Sequence, residues 1–123
     1  MELPFFDDPT ELYLRLARFV EPVLLDSGGN LERGRFDIVA AGPDTNLNLD
    51  LSPVASRTEI SQTLRNWRAN LPDVTSPLLS PLPFCGGVIG FFSYELGRSL
   101  QGFTARDAVT LPLARARYYP WAV

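Results

Sequence analysis

The segment "PFCGGVIGFFSYELGR", residues 83–98, combines three glycines within five positions with a run of aromatic residues. These glycines are spaced G-G-x-x-G, which differs from the G-x-G-x-x-G spacing of dinucleotide-binding loops. The chain also contains no lysine, so it has no G-K-[ST] sequence of the kind that binds phosphates. Glycines inside a strand either allow another backbone to approach closely or mark a bulge. The segment therefore predicts a tightly packed strand and no phosphate-binding loop.

Two further features of this segment are predicted from its pattern. Because side chains of a strand alternate between its faces, we expect packing by Phe84, Val88 or Phe92 on one face and by Ile89 or Phe91 on the other. A short turn should follow, in which Glu95 and Arg98 form an i, i+3 surface ion pair worth a few tenths of a kcal/mol, roughly. Cys85 is expected to be a small buried apolar side chain.

Two amphipathic helices are predicted on either side of the first strands. Asp8-Pro9-Thr10-Glu11 has the sequence of a helix start, and Pro22 should stop this helix at or just before Glu21. Ser56-Arg57-Thr58-Glu59 is a second capping box. Apolar residues recur behind it at helical spacing, which predicts a helix over 57–70 with a buried stripe. The members of this stripe are Ile60, Leu64, Trp67 and Leu71.

The remaining elements are predicted to be strands. Residues 23–27, 35–42 and 45–51 show short apolar runs or strict alternation, and 114–123 is a fourth strand in which Pro120 favours an edge position or a bulge. The four prolines in 72–83 indicate a surface connection. Connections such as 27–34 are too short for a parallel crossover. We therefore predict an α+β fold with a mainly antiparallel, sandwich-like sheet and two amphipathic helices, in a single domain over 1–123.

The composition excludes several classes of function. The chain has no histidine, no lysine and one cysteine, so the commonest general base, the amine nucleophiles and the usual zinc ligands are missing. A net charge of −3 gives no electrostatic reason to bind nucleic acid or an anionic membrane. The first residues lack the pattern of a signal peptide, and no apolar run approaches the roughly 20 residues of a membrane span. We expect a cytoplasmic protein without nucleic-acid or membrane partners.

Small-ligand binding is the chemistry that the residues allow. Ser27 lies at a strand end beside two glycines, where its hydroxyl and nearby amides could bind a polar ligand, or could belong to an ordinary turn. Arg33 and Arg35 flank Gly34 before the next strand and could hold a carboxylate, or could be a solvated pair. The apolar end "YYPWAV" indicates that a longer protein continues after residue 123, and a truncated sheet would leave edges that favour self-association.

Four motifs, taken in order, resemble a known family. They are "LLDSGG" at 24–29, "GRFDIVAAGPD" at 34–44, "LPFCGGVIGFFSYELGR" at 82–98 and "LPLARARYYPWAV" at 111–123. Together they resemble the N-terminal region of component I of aminodeoxychorismate synthase (para-aminobenzoate synthase). Component I of anthranilate synthase has a similar N-terminal region and remains the alternative, although "YELGR" and "YYPWA" favour the aminodeoxychorismate branch.

The resemblance implies a fold, an enzyme and its partners. The chain would be a fragment of the larger anthranilate synthase component I fold. The full enzyme would make 4-amino-4-deoxychorismate, a folate precursor, from chorismate and ammonia, with Mg²⁺ as cofactor and a glutamine amidotransferase subunit as partner. Its catalytic site would lie in a C-terminal domain that this sequence lacks, so no catalytic or metal-binding residue is assigned here, and the fragment alone is expected to be inactive and to need no cofactor of its own.

The resemblance also implies a binding pocket. In this family the N-terminal region holds a tryptophan pocket, which is a feedback site in anthranilate synthases. By motif position, Ser27 matches the serine of that pocket, and Arg33, Gly34, Arg35 and Phe36 match the loop and strand start that line it. A free-standing module that binds tryptophan or a similar amino acid through these residues is a further hypothesis, as is an interaction domain that forms a homo-oligomer.

Overall fold

The computed structural model describes residues 8–28, 36–73, 82–103 and 110–123. These residues form three α-helices and five strands, arranged in two antiparallel sheets. The elements are, in chain order, α1 (Pro9–Leu16), β1 (Val23–Leu25), β2 (Ile38–Ala40), β3 (Asp44–Leu51), α2 (Arg57–Asn70), β4 (Gly87–Phe92), α3 (Tyr94–Leu100) and β5 (Ala114–Tyr119). The predicted α+β class is confirmed, with a third helix in addition to the two expected.

The described residues divide into two compact units. The first contains α1, the β1–β2 hairpin and the C-terminal residues Tyr119–Val123. The second contains β3, α2, α3 and most of β4 and β5. The expectation of a single domain over 1–123 stays a prediction.

In the first unit, α1 begins as predicted but is shorter. The Asp8 side chain accepts a hydrogen bond from the Thr10 N–H at 2.8 Å and caps the helix. The helix ends at Leu16, five residues before the predicted end, and Glu21 has a left-handed φ of 44°. Its carbonyl oxygen accepts a hydrogen bond from the buried Tyr119 hydroxyl at 2.9 Å, so a tertiary contact holds the bend that leads into β1.

The β1–β2 hairpin is the sheet of the first unit. Its antiparallel register pairs Val23 with Ala40 and Leu25 with Ile38. Val39 exchanges two backbone hydrogen bonds with Val123, at 2.8 and 2.9 Å, so the C-terminal residues extend this sheet. Val39, Ala40 and Ala41 are buried, and α1 packs against the hairpin.

The second unit is built around α2 and a three-stranded sheet of order β3-β5-β4. The Ser56 side chain accepts from the Glu59 N–H while the Glu59 carboxylate accepts from the Ser56 N–H, so the predicted capping box and the bounds of α2 are confirmed. The Trp67 Nε1–H donates to the Leu47 carbonyl of β3 at 2.8 Å. The core of this unit consists of buried residues from both layers: Leu49, Leu51, Ile60, Leu96, Leu113, Ala114 and Ala116.

Strand β5 differs from its prediction. It ends at Tyr119, before Pro120, and it is the middle strand of its sheet, so of the two predicted alternatives, an edge position or a bulge, the edge position is wrong. The proline does not interrupt the ladder because it follows the last residue of the strand. Strand β4 is instead an outer strand, and Val88, Phe91 and Phe92 are exposed although packing was expected for both of its faces. The predicted proline-rich connection lies largely outside the described residues.

Candidate functional site

The candidate site lies at the open end of the β1–β2 hairpin, where Ser27 follows β1 and Asp37 precedes β2. The register that pairs Leu25 with Ile38 brings these two residues together. Asp37 Oδ1 accepts two hydrogen bonds from Ser27, one from its backbone N–H and one from its hydroxyl, each 2.8 Å long. The serine that the sequence singled out is therefore held by an aspartate ten residues later.

The electrostatics of this pair follow from these bonds. The backbone N–H of Ser27, and then its hydroxyl, hold the pKa of the Asp37 carboxyl below its ordinary value because both donate to the charged form. Asp37 therefore carries its negative charge over a wider pH range than a free aspartate.

A tight turn continues from Ser27. The Gly28 N–H donates to Asp26 Oδ1 at 2.7 Å, and Gly28 has a φ of 75°, which favours glycine. This is an Asx turn, in which an aspartate side chain takes the place of a backbone carbonyl. The carboxylates of Asp37 and Asp26 thus accept hydrogen bonds from the consecutive backbone N–H groups of Ser27 and Gly28. The described part of the site is consequently rich in hydrogen-bond acceptors and negatively charged.

The other predicted pocket residues are described only in part. Phe36 immediately precedes Asp37, and 44% of its surface is exposed, so its ring is accessible beside the Ser27–Asp37 pair. Arg33, Gly34 and Arg35 lie outside the described residues. The structure therefore brings Ser27 and Phe36 to one end of one hairpin, and the assignment of all five residues to a pocket stays a prediction.

Asp37 is the residue that sequence reasoning missed at this site. The sequence placed it only within the strand predicted over 35–42, and no local motif links it to Ser27. The signal that could have found it is the hairpin register, because pairing of 23–25 with 38–40 places residues 27 and 37 near each other.

The glycines of the segment 83–98 allow close packing of neighbouring backbones. A Cβ on Gly86 would lie 2.9 Å from the Pro120 carbonyl oxygen, and one on Gly90 would lie 2.5 Å from the Ala116 Cα. Both glycines thus permit a close approach of two backbones, which confirms the structural interpretation. The segment's predicted turn is the helix α3, capped by the Ser93 hydroxyl, which accepts from the Leu96 N–H.

The predicted ion pair after this strand is present. Glu95 Oε2 and Arg98 Nε are 3.1 Å apart, and both side chains are mostly buried, so the pair is less exposed than expected. The Arg98 guanidinium also lies 5.6 Å from the centre of the Phe103 ring, within cation–π range. These contacts stabilise the turn of chain around α3 and do not form a site for chemistry.

A second charged cluster, which the sequence did not reveal, lies on the polar face of the β3–β5 ladder. The buried Arg117 guanidinium contacts both carboxylate oxygens of Asp50, at 2.9 and 3.2 Å, and Arg115 Nε lies 3.0 Å from Asp50 Oδ1. Burial alone would raise the pKa of Asp50, but hydrogen bonds and the charges of Arg117 and Arg115 outweigh it and lower that pKa. Arg117 also donates to the Leu49 and Ala116 carbonyls, so this cluster ties the ladder together.

Two negative findings concern the described residues alone. No group of three or more His, Cys, Asp or Glu side chains there could hold a metal ion. No described helix is both long and apolar enough to cross a bilayer.

Cys85 is exposed, so its predicted burial is wrong. It lies two residues before β4, and its carbonyl accepts a hydrogen bond from the Ala122 N–H.

The fold and this site define a class: an α+β chain with antiparallel sheets and a small acceptor-rich hairpin end. Similarity to curated proteins gives a more specific relationship than the fold does. The chain is 31% identical over 140 residues to aminodeoxychorismate synthase component 1 of Klebsiella aerogenes, an alignment that covers all of this chain and 30% of the relative. It is 30% identical over 128 residues to the protein of that name from Escherichia coli (strain K12), covering 94% of this chain and 28% of the relative.

A third relative agrees with these two. The chain is 32% identical over 139 residues to aminodeoxychorismate synthase component 1 of Salmonella typhimurium, covering 98% of this chain and 29% of the relative. No protein-family model matches the chain, and no solved structure does. The resemblance inferred from the four motifs is confirmed as a similarity to aminodeoxychorismate synthase component 1, and the chain spans about 30% of the length of the relatives it matches.

Proposed function

We propose that this chain is the non-catalytic N-terminal region of an aminodeoxychorismate synthase component, which acts in the cytoplasm. The observation that carries the proposal is the similarity along almost the whole chain to three proteins of that name. The missing histidine and lysine support a role without acid–base or amine chemistry of its own. The Mg²⁺ requirement and the reaction of chorismate with ammonia then belong to the catalytic domain, and the glutamine amidotransferase subunit is the partner of the whole enzyme.

Chorismate turnover in a chimera tests this role. The segment of the Escherichia coli relative that matches this chain is replaced by the 123 residues, and turnover is measured with chorismate, ammonia and Mg²⁺. We expect the chimera to regain activity that the relative loses when the segment is deleted, and the isolated chain to make no product. Turnover by the isolated chain, or a folded chimera no more active than the deletion variant, would contradict the proposed role.

The hairpin end is the proposed binding site of this region. Its carboxylates are acceptors that suit the ammonium group of an amino acid, and the partly exposed Phe36 ring suits an apolar side chain such as that of tryptophan. The arginines at 33 and 35 are assigned by the family resemblance to the same pocket, where they suit a carboxylate. Tryptophan is accordingly the proposed ligand, and feedback regulation by tryptophan, as in the anthranilate branch, is the alternative role.

Calorimetry with tryptophan tests the site. We expect binding by the chain that falls at least about tenfold with Asp37→Asn, since the variant loses the charge that attracts the ammonium group. Ser61→Ala, a change on α2, is the control and should bind as the original chain does. If a folded chain does not bind millimolar tryptophan, or if Asp37→Asn binds equally well, the hairpin end is not the tryptophan site. Neither result would contradict the proposed role as a non-catalytic N-terminal region, which the chimera tests separately.

A further inference from the structure

Helix α2 presents three arginines along one side. Arg57, Arg65 and Arg68 are all exposed, and Arg65 and Arg68 follow Arg57 by about two and three helical turns. At about 3.6 residues per turn, the three positions fall within an arc of roughly 80° around the helix axis and span roughly 16 Å along it. We call these three residues the arginine stripe.

Among the described residues, the arginine stripe has no carboxylate or aromatic partner. Every other arginine in the described part of the chain has one. Arg18 lies 5.1 Å from the centre of the Phe19 ring. The others contact carboxylates, and they are Arg15, Arg98, Arg115 and Arg117. The stripe therefore concentrates on one helix the described arginine charges that the chain itself does not pair.

The helix holds the stripe in a fixed arrangement. The Arg65 Nε–H donates to the Ser61 carbonyl at 3.1 Å, which fixes the stem of this side chain and leaves its two terminal amino groups to bind a partner. The capping box at Ser56 and the hydrogen bond from Trp67 to β3 secure the two halves of α2. A guanidinium group that is positioned before binding loses less conformational entropy when it binds.

Carboxylates are the groups that this stripe suits. A guanidinium and a carboxylate can form two parallel hydrogen bonds, and both are charged. Glu59, the one acidic residue of α2, accepts the Ser56 N–H in the capping box. The neighbouring amides of Gln62 and Asn66 bond to each other at 2.9 Å and carry no charge. The exposed surface of α2 is consequently a site for negative groups supplied by another molecule.

Two observations favour a separate acidic protein as that molecule. The chain has a net charge of −3, so its residues outside the stripe together carry −6, which is −3 less the +3 of the stripe. A long polyanion such as nucleic acid would extend over this negative remainder, whereas a compact group of carboxylates would not. In addition, none of the large exposed apolar side chains of the described residues lies on α2. Permanent interfaces are rich in apolar residues, whereas reversible contacts between separate proteins are more polar.

We propose that the arginine stripe is a docking surface for a separate protein that presents a compact group of carboxylates over roughly 16 Å. The contact is reversible and weakens as salt is added, because exposed charges are screened. Arginine supplies its specificity, since the planar guanidinium fixes the orientation of each carboxylate. This surface lies on α2, away from the residues of the proposed tryptophan site, and it goes beyond the proposed role in the synthase.

A synthetic acidic helix tests the stripe on the 123-residue chain. The probe is an alanine-rich peptide of about 20 residues whose three glutamates have the spacing of the stripe, and binding is measured by fluorescence anisotropy at low salt. We expect the double variant Arg65→Gln with Arg68→Gln to bind it roughly tenfold more weakly. The matched control is Arg15→Gln with Arg18→Gln, which removes the same charge from exposed arginines outside α2 and should leave binding unchanged.

Four results would overturn the proposal. They are no binding by a folded chain, equal losses in the two double variants, equal binding of a peptide with glutamine in place of glutamate, and tighter binding of duplex DNA that depends on the stripe. Sedimentation of the chain alone adds a fifth: a dimer that the stripe variant abolishes would make a second copy the occupant. Circular dichroism checks folding, and glutamine is chosen because its helix propensity is close to that of arginine. Arg65→Gln alone replaces the double variant if that variant unfolds.

Discussion

The closeness of β4 to β5 can be measured by adding one methyl group. In Gly90→Ala the new Cβ would lie 2.5 Å from the Ala116 Cα and 2.7 Å from its Cβ, and it would also meet the Arg115 carbonyl oxygen. Carbon atoms in good contact are about 3.5–4.0 Å apart, so the two strands must separate. Because backbone atoms are among those in conflict, side-chain rotation cannot relieve the overlap.

The expected loss of stability follows from two opposing effects. Overpacking a well-filled site costs about 1–3 kcal/mol, and this overlap belongs at the upper end of that range. Alanine is favoured over glycine inside a strand by about 0.5–1 kcal/mol. The net change in the free energy of unfolding is therefore a loss of about 2 kcal/mol.

Gly97→Ala provides the matched control. Gly97 lies within α3, in the same compact unit, and no atom lies within 4 Å of a Cβ added there. Alanine replaces glycine in a helix with a gain of about 1 kcal/mol. The same chemical change should thus have opposite signs at the two positions.

Urea unfolding followed by circular dichroism measures the stability of both variants. With a slope of about 2 kcal/mol/M, typical of small proteins, the midpoint should fall by about 1 M for Gly90→Ala and rise by about 0.5 M for Gly97→Ala. Slopes equal to that of the original chain are needed for this comparison. A midpoint that rises for Gly90→Ala would refute the close packing of β4 on β5.

Three further changes test other contacts. Asp50→Asn leaves the buried Arg117 without its counter-charge and should lower stability by about 1–2 kcal/mol in urea unfolding, less than for a fully buried pair because Asp50 is about half exposed; unchanged stability would show that the cluster contributes nothing. Ser27→Ala should raise the pKa of Asp37 towards 3.8 in an NMR titration. Because the pKa of Asp37 is lower in the folded chain than in the unfolded chain, its charged form stabilises the fold fully above pH 3.8. This stabilisation is lost as the pH falls through the pKa of the folded chain. Ser27→Ala should weaken this pH dependence of stability. Trp67→Phe removes the hydrogen bond to the Leu47 carbonyl of β3 and should lower the free energy of unfolding by about 1 kcal/mol, measured by thermal unfolding. An unchanged stability would show that this hydrogen bond does not stabilise the fold.

Local sequence rules predicted the helix α2 completely. Its start depends on Ser56 and Glu59, which bond to each other's backbone within one turn, and its buried face depends on a spacing that needs no other element. Strand β3 was predicted within one residue for the same reason, since Leu49 and Leu51 alternate with polar residues and are buried. Such features are properties of a few neighbouring residues.

Features that depend on distant pairing were predicted less well. Pro120 suggested an edge strand, yet β5 lies in the middle because β3 and β4 flank it and the strand stops one residue earlier. Helix α1 ends at Leu16, and the chain then reaches β1 through a bend at Glu21 that Tyr119, about a hundred residues later in the sequence, holds by a hydrogen bond. Cys85 was expected inside from its residue type, but its place at the entrance to an outer strand exposes it.

The sequence by itself determined the α+β class, the starts of α1 and α2, the exclusion of a phosphate loop and the similarity to aminodeoxychorismate synthase component 1. These conclusions depend on residue spacing and on ordered motifs, which exist before the chain folds. Only the tertiary structure decided that Asp37 holds Ser27, that Arg117 is buried against Asp50 and that β4 is an outer strand of the sheet formed by the described residues. Each of these depends on strand register and strand order, which bring residues together that are ten to about seventy positions apart along the chain.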